Sequence, residues 1–94
     1  KGGLMSVKII VSMDIEDFDS WSAGFNAGSD SRKEAGIEAE AYKNLDNPNN
    51  AVAIGTASSK EAFLAYFATP EQAERMQSAG VVSQPVITFL ETED

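Results

Sequence analysis

Three observations in the 94-residue sequence predict an α+β domain of the ferredoxin-like type, a four-stranded antiparallel sheet with helices on one face. Four segments are β-branched or strictly alternating and are bounded by turn residues. Two amphipathic helical stretches follow the first and the third of them. The order is therefore β-α-β-β-α-β, in a chain too short to build a second core.

Ser6 to Met13 forms the first strand, with Val7, Ile9, Val11 and Met13 on one side and Lys8, Ile10 and Ser12 on the other. Asp14 or Asp17 caps the helix that follows, and Glu16, Asp17 and Asp19 place negative charge where its dipole favours it. Phe18, Trp21 and Phe25 share one face of this helix. Gly24 and Gly28 weaken it by about 1 kcal/mol each relative to Ala. Regularity is expected to fail near Gly28-Ser29-Asp30, with a second turn over Ser31 to Ala35 and Gly36 at the C′ position. Ile37 to Asn44 alternates, with Ile37, Ala39 and Ala41 inward and Glu38, Glu40 and Tyr42 outward. The breakers Leu45 to Asn50 then join it to a third strand, Ala51 to Ala57, as an antiparallel hairpin-like pair. Ser58-Ser59-Lys60-Glu61 reads as a capping box with Ser58 as the cap. Thr69-Pro70-Glu71-Gln72 reads as a second box that splits the second helix, with Pro70 at the first helical position. Gly80 ends that helix. Val86 to Glu91 is the last strand, with faces Val86/Thr88/Leu90 and Ile87/Phe89.

The helices can cover one side of the sheet only. The first and last strands nevertheless carry apolar residues on both sides, leaving Ile10 and one face of Val86–Glu91 without cover. A second copy packed sheet to sheet is the simplest cover, so a homodimer is expected.

Composition excludes several functions. The net charge of −8, from 15 acidic against 7 basic residues, repels polyphosphates and argues against nucleic acid or anionic membrane surfaces as partners. No apolar run approaches the roughly 20 residues of a membrane span, and no signal sequence is evident, so a cytoplasmic location is expected. The chain has no Cys and no His, which removes thiolate nucleophiles, Ser-His-Asp triads and the commonest metal ligands. No Gly-rich phosphate loop occurs, since Gly24 and Gly28 fit neither a P-loop nor a dinucleotide turn. No metal or cofactor is expected. Lys1 to Leu4 reads as an extension ahead of a natural start at Met5, and the single domain is taken as 5–94.

Trp21, Phe25, Arg32, Gly36-Ile37, Tyr42-Lys43-Asn44, Asp46, Asn47-Pro48-Asn49, Phe67, Pro70, Met76, Ala79-Gly80-Val81 and Pro85 together resemble small bacterial proteins of the dimeric α/β-barrel superfamily. That group includes the antibiotic-biosynthesis-monooxygenase-like and cyclase-like domains, and the resemblance spans nearly all of Val7 to Glu91. It implies two sheets packed into a barrel, with a cleft between sheet and helices in each subunit. It also implies an aromatic substrate held by Asn, Trp and Tyr side chains, as in cofactor-free quinol monooxygenases. Asn26, Trp21 and Tyr42 or Tyr66 are of those types, whereas the histidine of the haem-degrading branch is absent.

The candidate ligand-binding residues are Trp21, Phe25, Asn26, Arg32, Tyr42 and Phe67. Trp21 and Phe25 suit either a stacking wall or ordinary core. Arg32, one of two arginines, is either a solvated charge or a clamp for a carboxylate or enolate. Asn26 either binds a ligand carbonyl or lies exposed on its helix. Tyr42 is either a pocket hydroxyl or an aromatic at the surface or dimer edge. Phe67 pairs with Phe63 at i,i+4 spacing. Glu38 and Glu40 lie about 7 Å apart on one strand face and read as solvated. The sequence thus points to a homodimeric barrel that binds a small hydrophobic or aromatic metabolite, as a cofactor-independent oxygenase or a cyclase/isomerase. The alternative is a non-catalytic module with a self-filled barrel.

Overall fold

A computed structural model describes residues 6–91; the expected extension at 1–4 and the acidic end at 93–94 lie outside them. The elements are β1 (Val7–Asp14), α1 (Phe18–Ala27), α2 (Ser29–Glu34), β2 (Glu38–Lys43), β3 (Asn50–Ala57), α3 (Lys60–Phe67), α4 (Pro70–Ser78) and β4 (Val86–Glu91). The strands form one antiparallel sheet in the order β2-β3-β1-β4, the ferredoxin-like arrangement.

Register fixes what each face carries. Ile9 lies opposite Gly55 on one side and Phe89 on the other, and Val11 lies opposite Ala53 and Ile87. These residues, with Met13, Ala51 and Ala57, face the helices and meet Trp21 and Phe63 in the core. Pleating sends the even-numbered positions of β1 to the opposite side. There Ile10 sits between Ile54 and Thr88, and Ser12 sits between Val52 and Val86. Val86, Leu90 and Tyr42 remain 63%, 41% and 47% exposed on this outer face. Of the two faces read for the last strand, Ile87/Phe89 is the inner one.

Helix ends follow their caps. Asp17 accepts the Ser20 N–H at 2.9 Å and opens α1. Ser59, not Ser58, caps α3, accepting the Ala62 N–H at 3.0 Å. The reason is that β3 runs to Ala57, so Ser58 is consumed in leaving the sheet and the helix starts one residue later. Thr69 caps α4 as expected, with Pro70 in its first turn. Gly36 and Gly80 follow the caps of α2 and α4 with φ of 78° and 86°, a left-handed conformation that glycine adopts without a Cβ penalty.

Two asparagines of the β2–β3 turn set the entry to α1. The Asn50 side-chain N–H donates to the Met13 carbonyl at 3.1 Å, and that of Asn49 donates to the Glu16 carbonyl at 3.0 Å. The end of β1 and the α1 N-terminus are thereby tied to the hairpin, which fixes where Trp21 enters the core. At the other end of β3, a Cβ on Gly55 would overlap the Glu38 carbonyl and lie 2.6 Å from the Ala39 Cα. Gly55→Ala is therefore expected to destabilise the fold by about 1–3 kcal/mol, as overpacking does. The expected readout is a lower urea midpoint at constant m-value; an unchanged midpoint would contradict so close an approach of β2 and β3.

Candidate functional site

The inner faces of β2 and β3 are built from very small side chains. Ala39 and Ala41 on β2, and Ala51, Ala53, Gly55 and Ala57 on β3, occupy the positions that face the helices. On β1 and β4 the same layer carries Ile9, Val11, Met13, Ile87 and Phe89. The larger side chains fill the layer on their side, whereas the alanine side leaves space. A cavity of about 60 Å³ results, with its floor made by Ala39, Ala53 and the β1 residues Ile9, Val11 and Met13. That is room for about four waters or part of a small ring.

Its walls are aromatic. Trp21 is buried and stacks on Phe25, with ring centroids 5.1 Å apart and planes inclined at 29°. Phe18 continues the row at 5.6 Å from Trp21. Phe63 and Phe67 stack across the cavity on α3 at 5.4 Å, and Phe89 meets Phe63 edge-on. Such pairs each contribute about 0.5–1.5 kcal/mol beyond area burial, so the walls are held by one another. Among the described residues no acceptor takes the Trp21 indole N–H, and no side-chain nitrogen or oxygen is sealed off without a partner.

One end of the cavity is cationic. Arg32 lays its guanidinium over the Phe25 ring, 3.8 Å from the centroid. Arg75 reaches the same end from α4, donating to the Tyr66 hydroxyl at 3.2 Å and to Gln72 Oε1 at 2.9 Å. Gln72 stands where a capping box would turn its side chain back to Thr69, but it serves Arg75 instead. The break at Thr69-Pro70 places Tyr66 and Phe67, on the last turn of α3, beside Gln72, Arg75 and Met76 on α4. Burial lowers the Arg32 pKa from its ordinary value, Tyr66 raises it, and the charge of Arg75 lowers it further. A guanidinium stays protonated at neutral pH throughout this range.

Four of the six expected ligand contacts, Trp21, Phe25, Arg32 and Phe67, line this one cavity. The other two point elsewhere. Asn26 is exposed, because one step along α1 from Phe25 rotates its side chain about 100° away. Tyr42 is on the outer face of the sheet with Glu38 and Glu40, and its hydroxyl donates to Glu40 Oε1 at 2.8 Å. Arg75, Gln72 and Met76 join the site without having been singled out as ligand contacts from sequence, and of the two tyrosines that the resemblance offers, Tyr66 rather than Tyr42 lines it. Arg75 had one available signal: with Arg32 it completes the arginine content of the chain.

No family model matches the chain, and no curated protein sequence does. Solved structures match over nearly its whole length. A Caulobacter crescentus protein assigned by name to the antibiotic biosynthesis monooxygenases superposes with a TM-score of 0.74 at 11% identity, covering 97% of this chain and 92% of its own. A mutant of SnoaB, a cofactor-independent oxygenase from Streptomyces nogalater, gives 0.73 at 14% identity, with 96% and 95% covered. A Bordetella bronchiseptica protein of the same assignment gives 0.78 at 9% identity, with 94% and 97% covered.

The Tyr42–Glu40 pair makes a check on the outer face. The hydrogen bond to Glu40, and then its charge, hold the Tyr42 phenol above the ordinary tyrosine pKa. In a Tyr66→Phe background Tyr42 is the one phenol left of the two in the chain. Its absorbance titration should then fall toward ordinary values on Glu40→Gln, because the phenolate no longer faces a carboxylate; an unmoved titration would contradict the contact. With the sheet order, the cavity and the superpositions together, this chain has the ferredoxin-like α+β fold of the antibiotic-biosynthesis-monooxygenase-like proteins.

Proposed function

We propose that this protein is a homodimer, joined outer face to outer face through its sheets, in which each cavity binds a small aromatic metabolite and oxidises it with dioxygen and no cofactor, in the cytoplasm. The observation that carries this reading is the cavity itself: stacked aromatic walls leading to a cationic end. The cavity takes part of a flat ring, laid against the aromatic walls over the alanine floor. A phenol or enol oxygen at the other end meets Arg32 and Arg75, which favour its ionised form. An aromatic enolate is electron-rich enough to react with dioxygen directly. The chain's residues would orient the ring, hold the oxyanion and exclude bulk water. The likeness to a cofactor-independent oxygenase supports the same chemistry at the level of the fold. The open cavity favours this reading over a module filled by its own side chains.

Support for the homodimer comes from the outer face. Ile10, Val52, Ile54, Val86 and Leu90 form an apolar patch with no cover among the described residues. A two-fold partner would bury it, and the sheets would close into a barrel.

Trp21 is the only tryptophan, so its fluorescence reports on the cavity wall. Titration with small hydroquinones and naphthols should quench it saturably. At 100 times Kd the same ligand should stabilise the fold by about 2.7 kcal/mol. Air-saturated enzyme should consume oxygen with the bound hydroquinone faster than its spontaneous oxidation. Failure of quenching and stabilisation across these compounds would sink the reading. For the dimer, light scattering should give twice the 10.0 kDa chain mass. Val86→Lys alters a residue already exposed in the single chain, and should return the mass to 10.0 kDa with the circular dichroism unchanged. A wild-type mass of one chain would refute the dimer.

A further inference from the structure

We propose that the ligand is an aromatic acid, and that Arg32 and Arg75 together form the seat for its carboxylate. This rests on the aromatic-ligand reading above and narrows it to one chemical class.

Gly24 and Gly28 lie four residues apart on one side of α1 and its end, and α4 packs against both. A Cβ on Gly24 would come within 2.9 Å of the Ala79 Cβ. A Cβ on Gly28 would lie 3.0 Å from Arg75 Cδ, 3.2 Å from Arg75 Nε and 3.2 Å from Arg32 Nη1. Arg75 and Ala79 are likewise four residues apart, so the two pairs meet across a close helix crossing. The bare Gly28 backbone thus gives the Arg75 stem a place to lie. It also brings both guanidiniums to the same point.

Two neighbouring guanidiniums repel, and nothing in the described residues neutralises them. No carboxylate among the described residues acts on Arg32; the groups that do are Tyr66 and Arg75. The partners of Arg75 are a phenol and an amide. Phe25 holds the face of Arg32, which leaves its in-plane N–H edges without an acceptor among the described residues. Among the described residues Arg75 commits Nη1 and leaves Nε–H and Nη2 without an acceptor. A single phenolate oxygen would use only part of this donor set. A planar carboxylate, with two oxygens and about four lone-pair sites, matches it, and one negative charge relieves the repulsion between two positive ones. The apolar walls accept the ring to which that carboxylate is attached.

Salicylate, salicylamide and phenol are one-ring probes that differ in charge and in the carboxylate. By Trp21 quenching and thermal shift, salicylate should bind at least about tenfold more tightly than salicylamide. Added salt should narrow the gap. Arg75→Gln and Arg32→Gln should each remove most of the salicylate preference over salicylamide, weaken phenol far less than salicylate, and leave the dimer mass unchanged. Arg75→Lys keeps the charge without the planar fork and should recover only part of it. Gly28→Ala tests the seat without altering either arginine, and its φ of −89° is open to alanine. It should weaken salicylate more than phenol. Equal affinity for salicylate and salicylamide, or a preference that survives in the Arg32→Gln/Arg75→Gln double variant, would overturn the carboxylate seat while the aromatic-ligand reading stood. Stronger competition by inorganic phosphate than by salicylate would also overturn it. Binding of none of the three would overturn both.

Discussion

The structure depends on an asymmetry of side-chain size across one sheet. Apart from Lys43 at its end, the inner face of β2 carries alanines, and the inner face of β3 carries alanines and one glycine. β1 and β4 carry isoleucine, valine, methionine and phenylalanine in the same layer. Interiors pack to near-crystalline density wherever side chains reach one another. Helices resting on the larger side chains cannot also collapse onto the alanine floor. The gap that remains is the cavity, and the aromatic residues of α1 and α3 become its walls as well as part of the core. Core and wall are then one set of residues, and the choice between them posed by the Phe18–Trp21–Phe25 stripe dissolves.

The cationic end is an electrostatic exception maintained by packing. In a chain of net charge −8, both arginines converge on the least polar region, where desolvation opposes charge. Phe25 compensates Arg32 by about 0.5–2 kcal/mol of cation–π attraction. The hydroxyl and amide near Arg75 supply oxygen without supplying charge. Among the described residues no carboxylate is paired with either arginine, so their positive charge is not neutralised there.

Much of this was legible in the sequence because it follows from short-range pattern. β-Branched runs and alternation located the four strands. Capping residues located the starts of α1, α3 and α4, with Ser59 taking the place of Ser58. α2 has no side-chain cap and begins at Ser29, inside the stretch expected to be irregular. The face count identified the outer patch once Ile10, Val86 and Leu90 were assigned by register. What sequence could not supply was the long-range pairing of side chains. Arg75 lies on a polar helix 43 residues from Arg32, and only the α1–α4 crossing brings them together. The Gly24/Gly28 spacing looked like a weakness of the helix, since the helix alone gives no reason for it. Its reason is the neighbouring helix. Tyr42 and Asn26 show the converse, because residue type alone made them candidates and local geometry turns both away.

β1 joins these features mechanically. Ile9, Val11 and Met13 floor the cavity, while Ile10 occupies the middle of the outer patch, one residue away in the chain and on the opposite side. Asn50, which anchors the end of β1, donates to both Ser12 Oγ and the Met13 carbonyl, and so ties the two faces at one position. A strand whose alternate residues serve a cavity and an exposed apolar face cannot slip by one residue without exchanging the two sets. The central position of β1, paired on both edges, resists such a slip. At 9–14% identity the superposed structures share this chain's fold but few of its residues, so the fold accepts wide replacement of side chains.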